Sequence, residues 1–137
     1  MSTFKAVYAT QQDGKTHISI QQLDRASLPA GDVLVRVRYS DLNYKDGLAV
    51  TGRPGVIRKF PMVAGIDLAG VVEESASAEW KPGDEVVVTG FGLSESVWGG
   101  YAELARVHAH WLVRLPRGLT LKQAMAIGTA GFTAMQC

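Results

Sequence analysis

The stretch VLVRVRYSDLNYKDGL, residues 33–48, joins a strand-like segment to a run of polar side chains. Its first half alternates between two sets of residues: one set is Val33, Val35, Val37 and Tyr39, and the other is Leu34, Arg36 and Arg38. This period of two predicts a half-buried strand in a one-sided sheet, with the arginines facing solvent. The second half reads as a loop that carries Asn43, Tyr44, Lys45 and Asp46 just before Gly47. Polar loop residues are usually solvated and have no function, so the question is why these four directly follow a well-patterned strand.

The flanking sequence predicts further short strands separated by turns. FKAVYAT (4–10) and HISIQQL (17–23) are strand-like and are separated by Asp13-Gly14, a strong hairpin signal. GIDLAGVVEE (65–74) predicts a strand that is buried over more of its surface. More strands are predicted in KPGDEVVV (81–88), GYAELARV (100–107) and HWLVRLP (110–116). Turn signals this closely spaced favour a compact barrel or sandwich.

A helical pattern begins after Pro116. Thr120 is a predicted N-cap, and residues 121–125 are mostly good helix formers. Gly128 is predicted to end that helix, and a second helix begins in AGFTAMQC (130–137). A helix interrupted within its first turns is marginal alone, so we expect this chain to be part of a longer one.

The composition excludes several classes of protein. The chain has 137 residues, a formal net charge of +1 and 47% hydrophobic residues, which fits one soluble domain without the charge needed to bind nucleic acid or an anionic membrane. Cys137 is the single cysteine, so an internal disulfide and a multi-thiolate metal site are excluded. No signal peptide or membrane-spanning run is visible, and we expect a cytoplasmic protein.

Five segments in order resemble one family: SDLNYKDGLAVTG (40–52), FPMVAGIDLAGVV (60–72), KPGDEVVV (81–88), WGGYAELARV (98–107) and IGTAGFTAMQC (127–137). Together they resemble the N-terminal catalytic domain of the medium-chain dehydrogenase/reductase superfamily, on its zinc-free quinone oxidoreductase side and in its acryloyl-CoA reductase branch. The resemblance implies a mainly β fold, a GroES-like, partly open β-barrel with short helices. It also implies a GroES-like catalytic domain at 1–125, with 126–137 beginning the link to a Rossmann domain that this chain lacks.

The resemblance also implies that the protein holds no zinc. The positions that carry catalytic zinc ligands in related enzymes are matched here by Asn43, Ile66 and Thr129, none of which is a thiolate, imidazole or carboxylate. The four cysteines of a structural zinc lobe are missing as well. The three histidines have no partners at ligand spacing, and we expect them to be structural or exposed: His17, His108 and His110.

Without a metal, neutral hydrogen-bond donors must polarise the substrate carbonyl. The resemblance places Asn43 and Tyr44 in the cleft between domains, with Lys45 as a charge partner for substrate or an exposed lysine. It also sets Thr133, together with Tyr44, against the nicotinamide ring. For Asp67 we expect a structural role, with at least one cationic or N–H partner, because an unpartnered buried carboxylate is costly.

Two further features have open interpretations. The loop TGRPGVIRKFP (51–61) carries Arg53, Arg58 and Lys59, either as solvated side chains or as a cationic rim for phosphates of coenzyme A or NADPH. Trp98 either packs in the barrel or lines the substrate pocket.

The implied function is that of the substrate-side domain of an NADPH-dependent reductase. It would reduce an α,β-unsaturated acyl-CoA such as acryloyl-CoA, or a quinone, and the full-length protein would be a homodimer. No G-x-G-x-x-G motif is present, so NADPH would be bound mainly by the missing domain and the fragment alone would be inactive. The alternative is a GroES-like binding or assembly module without catalysis, in which residues 47–60 form a mobile loop.

Overall fold

The structure, a computed structural model, describes residues 2–137 as a mainly β fold with two short helices, as expected. The elements are β1 (Thr3–Gln12), β2 (Lys15–Asp24), β3 (Val33–Tyr39), α1 (Tyr44–Val50), β4 (Met62–Val63), β5 (Asp67–Ser75), β6 (Glu85–Thr89), β7 (Leu104–Val107), β8 (Val113–Arg114) and α2 (Leu121–Gln136). Two antiparallel sheets form, a three-stranded one in the order β2-β1-β4 and a five-stranded one in the order β7-β3-β5-β6-β8. Within the described residues, no helix has the length and apolar character needed to cross a bilayer.

The β1–β2 hairpin forms where the turn signal predicted it. Asp13 and Gly14 both adopt positive φ, 50° and 73°, between the paired residues Gln12 and Lys15. Two positive φ angles are the signature of the two-residue turn that matches the strand twist, and Gly and Asp tolerate them best. The strands extend two residues further at this turn than the sequence predicted.

β3 lies between two hydrophobic cores, which corrects the predicted one-sided sheet. Val33 and Val35 are buried in a core with β5 and β6, while Leu34 on the opposite face is buried with Phe4 of β1. The β1–β2 hairpin covers this second face, and no local pattern in residues 33–39 encodes its presence. Beyond that cover Tyr39 is 44% exposed, although the alternation placed it on the buried face.

The polar stretch after β3 is a helix and not the predicted loop. Asn43 precedes α1, and its backbone N–H donates to Asp46 Oδ2 at 2.8 Å, which satisfies one free donor of the first turn. Ala49 in the last turn of α1 is buried beside Met62. Residues 47–50, assigned to a mobile loop in the binding-module alternative, are therefore helical. The predicted strand in residues 110–116 is also shorter, because Ala109–Trp111 forms a 3-10 turn before β8.

Helix α2 begins after Thr120 and breaks at Gly128, as the sequence predicted. Thr120 Oγ1 accepts the N–H of Gln123 at 3.2 Å, and Gln123 Oε1 accepts the N–H of Thr120 at 2.9 Å. This reciprocal pair is a capping box. Gly128 then leaves helical geometry, with φ 49° and ψ −161°, and divides α2 into two helical parts.

Candidate active site

Three carboxylates and one amide meet where β3 ends and β5 begins. Tyr39 pairs with Ala69, which brings the residues after β3 next to Asp67 at the start of β5. The side-chain nitrogen of Asn43 lies 2.8 Å from Asp41 Oδ1, 3.2 Å from Asp46 Oδ2 and 3.1 Å from Asp67 Oδ2. An amide has two N–H groups, so one of these three contacts shares a hydrogen with another. The Asn43 amide therefore holds three acids together.

Asp46 is fully buried and organises the start of α1. Its Oδ2 accepts the Asn43 backbone N–H, and its Oδ1 accepts the Ile66 backbone N–H at 3.0 Å. The carboxylate thereby ties α1 to the chain just before β5. Its negative charge at the N-terminal turn is also favourable to the helix dipole.

Asp67 is fully buried and connects β5 to the second part of α2. It accepts the Thr129 N–H at 2.9 Å and the Thr129 hydroxyl at 2.7 Å, in addition to the Asn43 amide. The expectation that buried Asp67 has an N–H partner is confirmed. Thr129 follows the Gly128 kink, so Asp67 caps the second helical part from 62 residues earlier in the chain.

The three positions matched to catalytic zinc ligands belong to this same network. Asn43 and Thr129 both donate to Asp67, and the Ile66 N–H donates to Asp46. An amide, an aliphatic chain and a hydroxyl do not fit zinc, and the carboxylates beside them already accept N–H and O–H groups. Throughout residues 2–137, no group of three or more His, Cys, Asp or Glu side chains is arranged to hold a metal ion.

The crowding of acids changes the protonation of Asp41. Partial burial, followed by the hydrogen-bonding contact with Asp67 and the negative charges of Asp67 and Asp46, raises the pKa of Asp41 to about 7, and the Asn43 amide opposes this rise. Burial and the charge of Asp46 also raise the pKa of Tyr101, whose hydroxyl donates to the Asp41 backbone carbonyl at 2.7 Å. Asp41 thus takes up a proton near neutral pH, where an ordinary aspartate is ionised.

Tyr44 and Lys45 project from the first turn of α1. Tyr44 is 85% exposed, so its ring and hydroxyl are available to a ligand or to another domain. Lys45 forms an ion pair with Glu95. The catalytic roles of Asn43, Tyr44 and Lys45 stay predictions, and so does the contact of Tyr44 with the cofactor.

Thr133 lies on the exposed second part of α2. Its hydroxyl donates to the Thr129 carbonyl at 2.8 Å, a bond within the helix. The Thr133 side chain therefore depends for its position on the Gly128 kink and on the bond between Thr129 and Asp67. Its predicted contact with nicotinamide stays a prediction.

The chain matches the family model of the alcohol dehydrogenase GroES-like domain over residues 29–117. The chain belongs to this family. Within it, the chain is 55% identical over 133 residues to the probable acrylyl-CoA reductase AcuI of Escherichia coli and 54% identical over 125 residues to the acrylyl-CoA reductase AcuI of Ruegeria pomeroyi. It is 43% identical over 135 residues to the putative quinone oxidoreductase YhfP of Bacillus subtilis. The recognition of the medium-chain dehydrogenase/reductase superfamily from sequence is confirmed.

This GroES-like domain corresponds to a part of those proteins. The three matches cover 97%, 91% and 98% of this chain, but only 41%, 38% and 41% of the relatives. The crystal structure of an oxidoreductase from Salmonella enterica in complex with NADP has a TM-score of 0.94 and 56% identity, covering 97% of this chain and 41% of that chain. The chain therefore spans about two fifths of the length of the relatives it matches.

Two residues of the GroES-like domain site escaped sequence reasoning. Asp41 lies in the quoted polar stretch, but only the return of β5 beside β3 shows that its neighbours are acids. Glu95 lies 50 residues from Lys45 and 37 from Arg58, and its carboxylate pairs with both side chains. No sequence spacing indicates such a long-range ion pair.

Trp98 has a packing role, and it also lines a cavity. Its indole N–H donates to the Pro61 carbonyl at 3.1 Å, and its ring lies edge-on to Tyr8 with 5.7 Å between centroids. With Lys59 and other residues it borders a cavity of about 170 Å³. His17 is exposed, and the rings of His108 and His110 stack at 5.8 Å.

Proposed function

We propose that this GroES-like domain is the substrate-side part of a zinc-independent, NADPH-dependent reductase of α,β-unsaturated acyl-CoA thioesters. The observation that carries the proposal is the network at the matched zinc positions, where Asn43, Ile66 and Thr129 bond to carboxylates. Such a network leaves polarisation of the substrate to neutral donors. The relatives named as acrylyl-CoA reductases support the choice of substrate.

NADPH, when bound, would supply a hydride to the β-carbon of the enoyl thioester, and the π electrons of the C=C bond would move toward the thioester oxygen to form an enolate. A proton from solvent would then add at the α-carbon and give the saturated thioester. Negative charge develops on the thioester oxygen, so a preorganised donor beside it lowers the barrier. The exposed Tyr44 hydroxyl is the proposed donor.

Asn43 has a different task in this proposal. Because its amide hydrogens bond to carboxylates, it orients the first turn of α1 and the Tyr44 side chain that follows. Lys45 stands beside Tyr44 and provides positive charge for an anionic substrate. Thr133 contributes its exposed helix face to the nicotinamide.

Reduction of quinones is the second candidate, and the likeness to the putative quinone oxidoreductase of Bacillus subtilis favours it. A quinone also accepts a hydride and develops charge on oxygen, so the same donor would serve. The two substrates differ in charge, because coenzyme A carries phosphates and a simple quinone carries none. We also propose that the full-length protein is a homodimer.

A chimera tests the proposed function directly. This chain would replace the matching N-terminal segment of the Escherichia coli acrylyl-CoA reductase, and NADPH oxidation would be followed with acryloyl-CoA and with a quinone. We expect turnover of acryloyl-CoA, with the parent enzyme as control. A chimera that folds, binds NADPH and reduces the quinone but leaves acryloyl-CoA unchanged would replace the first candidate with the second.

A further inference from the structure

Two cations and one carboxylate, Lys45, Arg58 and Glu95, meet at the surface beside α1, and we call this group the cation rim. Glu95 pairs with the Lys45 ammonium through Oε1 and with Arg58 Nε through Oε2 at 3.4 Å. The Glu95 side chain is only 18% exposed, whereas the Arg58 side chain is 72% exposed. The acid thus lies beneath the cations, and the guanidinium faces solvent.

The backbone holds the cation rim in place. The Glu95 carbonyl accepts the N–H groups of Arg58 at 2.8 Å and Lys59 at 3.2 Å. Glu95 follows Ser94, a buried residue with φ of 69°, in a turn closed by the bond from the Ser94 N–H to the Val97 carbonyl at 2.8 Å. Because the supporting backbone is bonded on both sides, little ordering is needed when an anion binds, and this favours affinity.

The cation rim has unused capacity for an anion. Lys45 has three ammonium hydrogens, and the contact of Arg58 Nε with Glu95 Oε2 is long, at 3.4 Å. Among the ion pairs that the structure describes over residues 2–137, Arg58 takes part only in the one with Glu95. The adjoining segment 51–61 also carries Arg53 and Lys59 and no acidic residue. Two cations against one acid, with guanidinium hydrogens facing solvent, match the geometry of phosphate oxygens.

We propose that the cation rim binds phosphate groups of an adenosine nucleotide and that the Glu95 carboxylate pairs with its cations until phosphate displaces it. The inference rests on the proposed function, because Lys45 directly follows Tyr44 and so places the cation rim beside the reacting groups. Coenzyme A and NADPH both carry such phosphates, and a simple quinone carries none. The cation rim would therefore determine specificity for the acyl-CoA or anchor the cofactor.

The test is a titration of the ¹⁵N-labelled 137-residue chain followed by nuclear magnetic resonance. The probes are coenzyme A, NADP⁺ and pantetheine, the last as a match for coenzyme A without phosphates. We expect coenzyme A or NADP⁺ to shift the amide signals of Lys45, Arg58, Lys59 and Glu95, and pantetheine to leave them in place. Stronger binding of coenzyme A assigns the cation rim to the substrate, and stronger binding of NADP⁺ assigns it to the cofactor.

Charge variants provide the sharper test. Lys45→Ala and Arg58→Ala should each weaken nucleotide binding about two- to five-fold, the range for exposed charge pairs. Glu95→Gln should strengthen it by a similar factor of about two to five, since the competing negative charge is gone. Lys122→Ala, which removes an exposed cation on α2, is the matched control and should change nothing.

The inference is overturned if neither nucleotide shifts these signals, or if Lys122→Ala weakens binding as much as Arg58→Ala. If Glu95→Gln disturbs the amide spectrum, the two exposed cation variants decide the question alone. These outcomes can be distinguished from a failure of the proposed function. If the chimera reduces acryloyl-CoA and its KM does not change with Lys45→Ala and Arg58→Ala, the proposed reaction stands and the cation rim is rejected as a binding site.

Discussion

At the scale of single residues, Asp41 is the acid whose chemistry departs most from its ordinary behaviour. Its pKa of about 7 in the folded protein lies above the ordinary value of 3.8, first because the carboxyl is partly buried and then because Asp67 and Asp46 lie beside it. Between these two values the folded state holds a proton that the unfolded chain releases. The stability that this proton contributes is complete at acid pH and is lost as pH rises from about 4 to about 7.

Replacing Asp41 by Asn should remove most of this dependence. We expect Asp41→Asn to unfold with a flatter pH profile and to gain about 1–2 kcal/mol over the parent at pH 8, after allowing for solvent screening of a partly exposed group. Urea unfolding at pH 5 and pH 8 measures both quantities. Parallel profiles for the two proteins would show that Asp41 titrates normally.

Tyr44 provides the residue-scale test of chemistry. In the chimera, Tyr44→Phe removes only the hydroxyl, and we expect kcat to fall about 100-fold if that hydroxyl meets the developing enolate. Because Tyr44 is 85% exposed, the free energy of unfolding should not change. Unchanged turnover would remove Tyr44 from the catalytic groups.

At the scale of elements, the kink in α2 depends on Gly128. Its φ of 49° disfavours any other residue, and an added Cβ would lie 1.8 Å from Asp41 Oδ2. Gly128→Ala should therefore cost about 3–4 kcal/mol, the sum of backbone strain and displacement of Asp41. Thermal or urea unfolding gives the value.

Gly118 is the matched control for that variant. Its φ is 86°, and nothing lies within 4 Å of the added Cβ, so Gly118→Ala measures the strain alone, about 1–2 kcal/mol. Equal losses in the two variants would show that the contact with Asp41 has no cost. Adding Asp41→Ala to Gly128→Ala should recover part of the loss.

The hydrogen bond from Thr129 of α2 to Asp67 of β5 gives a second prediction at the scale of elements. Thr129→Val keeps the size of the side chain but removes the hydroxyl that donates to Asp67 at 2.7 Å, and we expect a loss of about 1.5–3 kcal/mol. Thr129→Ser retains the hydroxyl and should lose less than about 1 kcal/mol. Urea midpoints compare them, and similar losses would assign the effect to packing.

At the scale of the whole molecule, β3 joins the two hydrophobic cores. Leu34 packs with Phe4 on one face, while Val33 and Val35 pack with β5 on the other. Leu34→Ala should cost about 2–4 kcal/mol and lower the protection of amides in β1 and β5 equally, because both sheets unfold together. Hydrogen exchange measures each sheet, and loss confined to β1 would show two separate units. Ile20→Ala, at a site 76% exposed, is the control and should have little effect.

Local patterns in the sequence determined much of this molecule. The Asp13-Gly14 turn, the strands of residues 65–74 and 81–88, the Thr120 cap and the Gly128 break were all predicted, since each depends on the backbone preferences of adjacent residues. The family was recognised for a similar reason, because five short segments of this sequence resemble segments of the family and occur in the same order. The predicted loop at 42–48 was wrong from Tyr44 onward, where α1 begins. Asp46 in its first turn also accepts the Ile66 N–H, 20 residues away, and no local pattern encodes that contact.

Only the tertiary structure decided what the polar residues do. The sequence by itself showed that Asn43 and Thr129 are poor metal ligands, but pairing of β3 with β5 makes them donors to Asp67 and places Asp41 among acids. The same folding brings Glu95 beneath Lys45 and Arg58. Protonation and charge pairing depend on distances of a few ångströms between residues far apart in the chain, and these distances exist only once the sheets have packed.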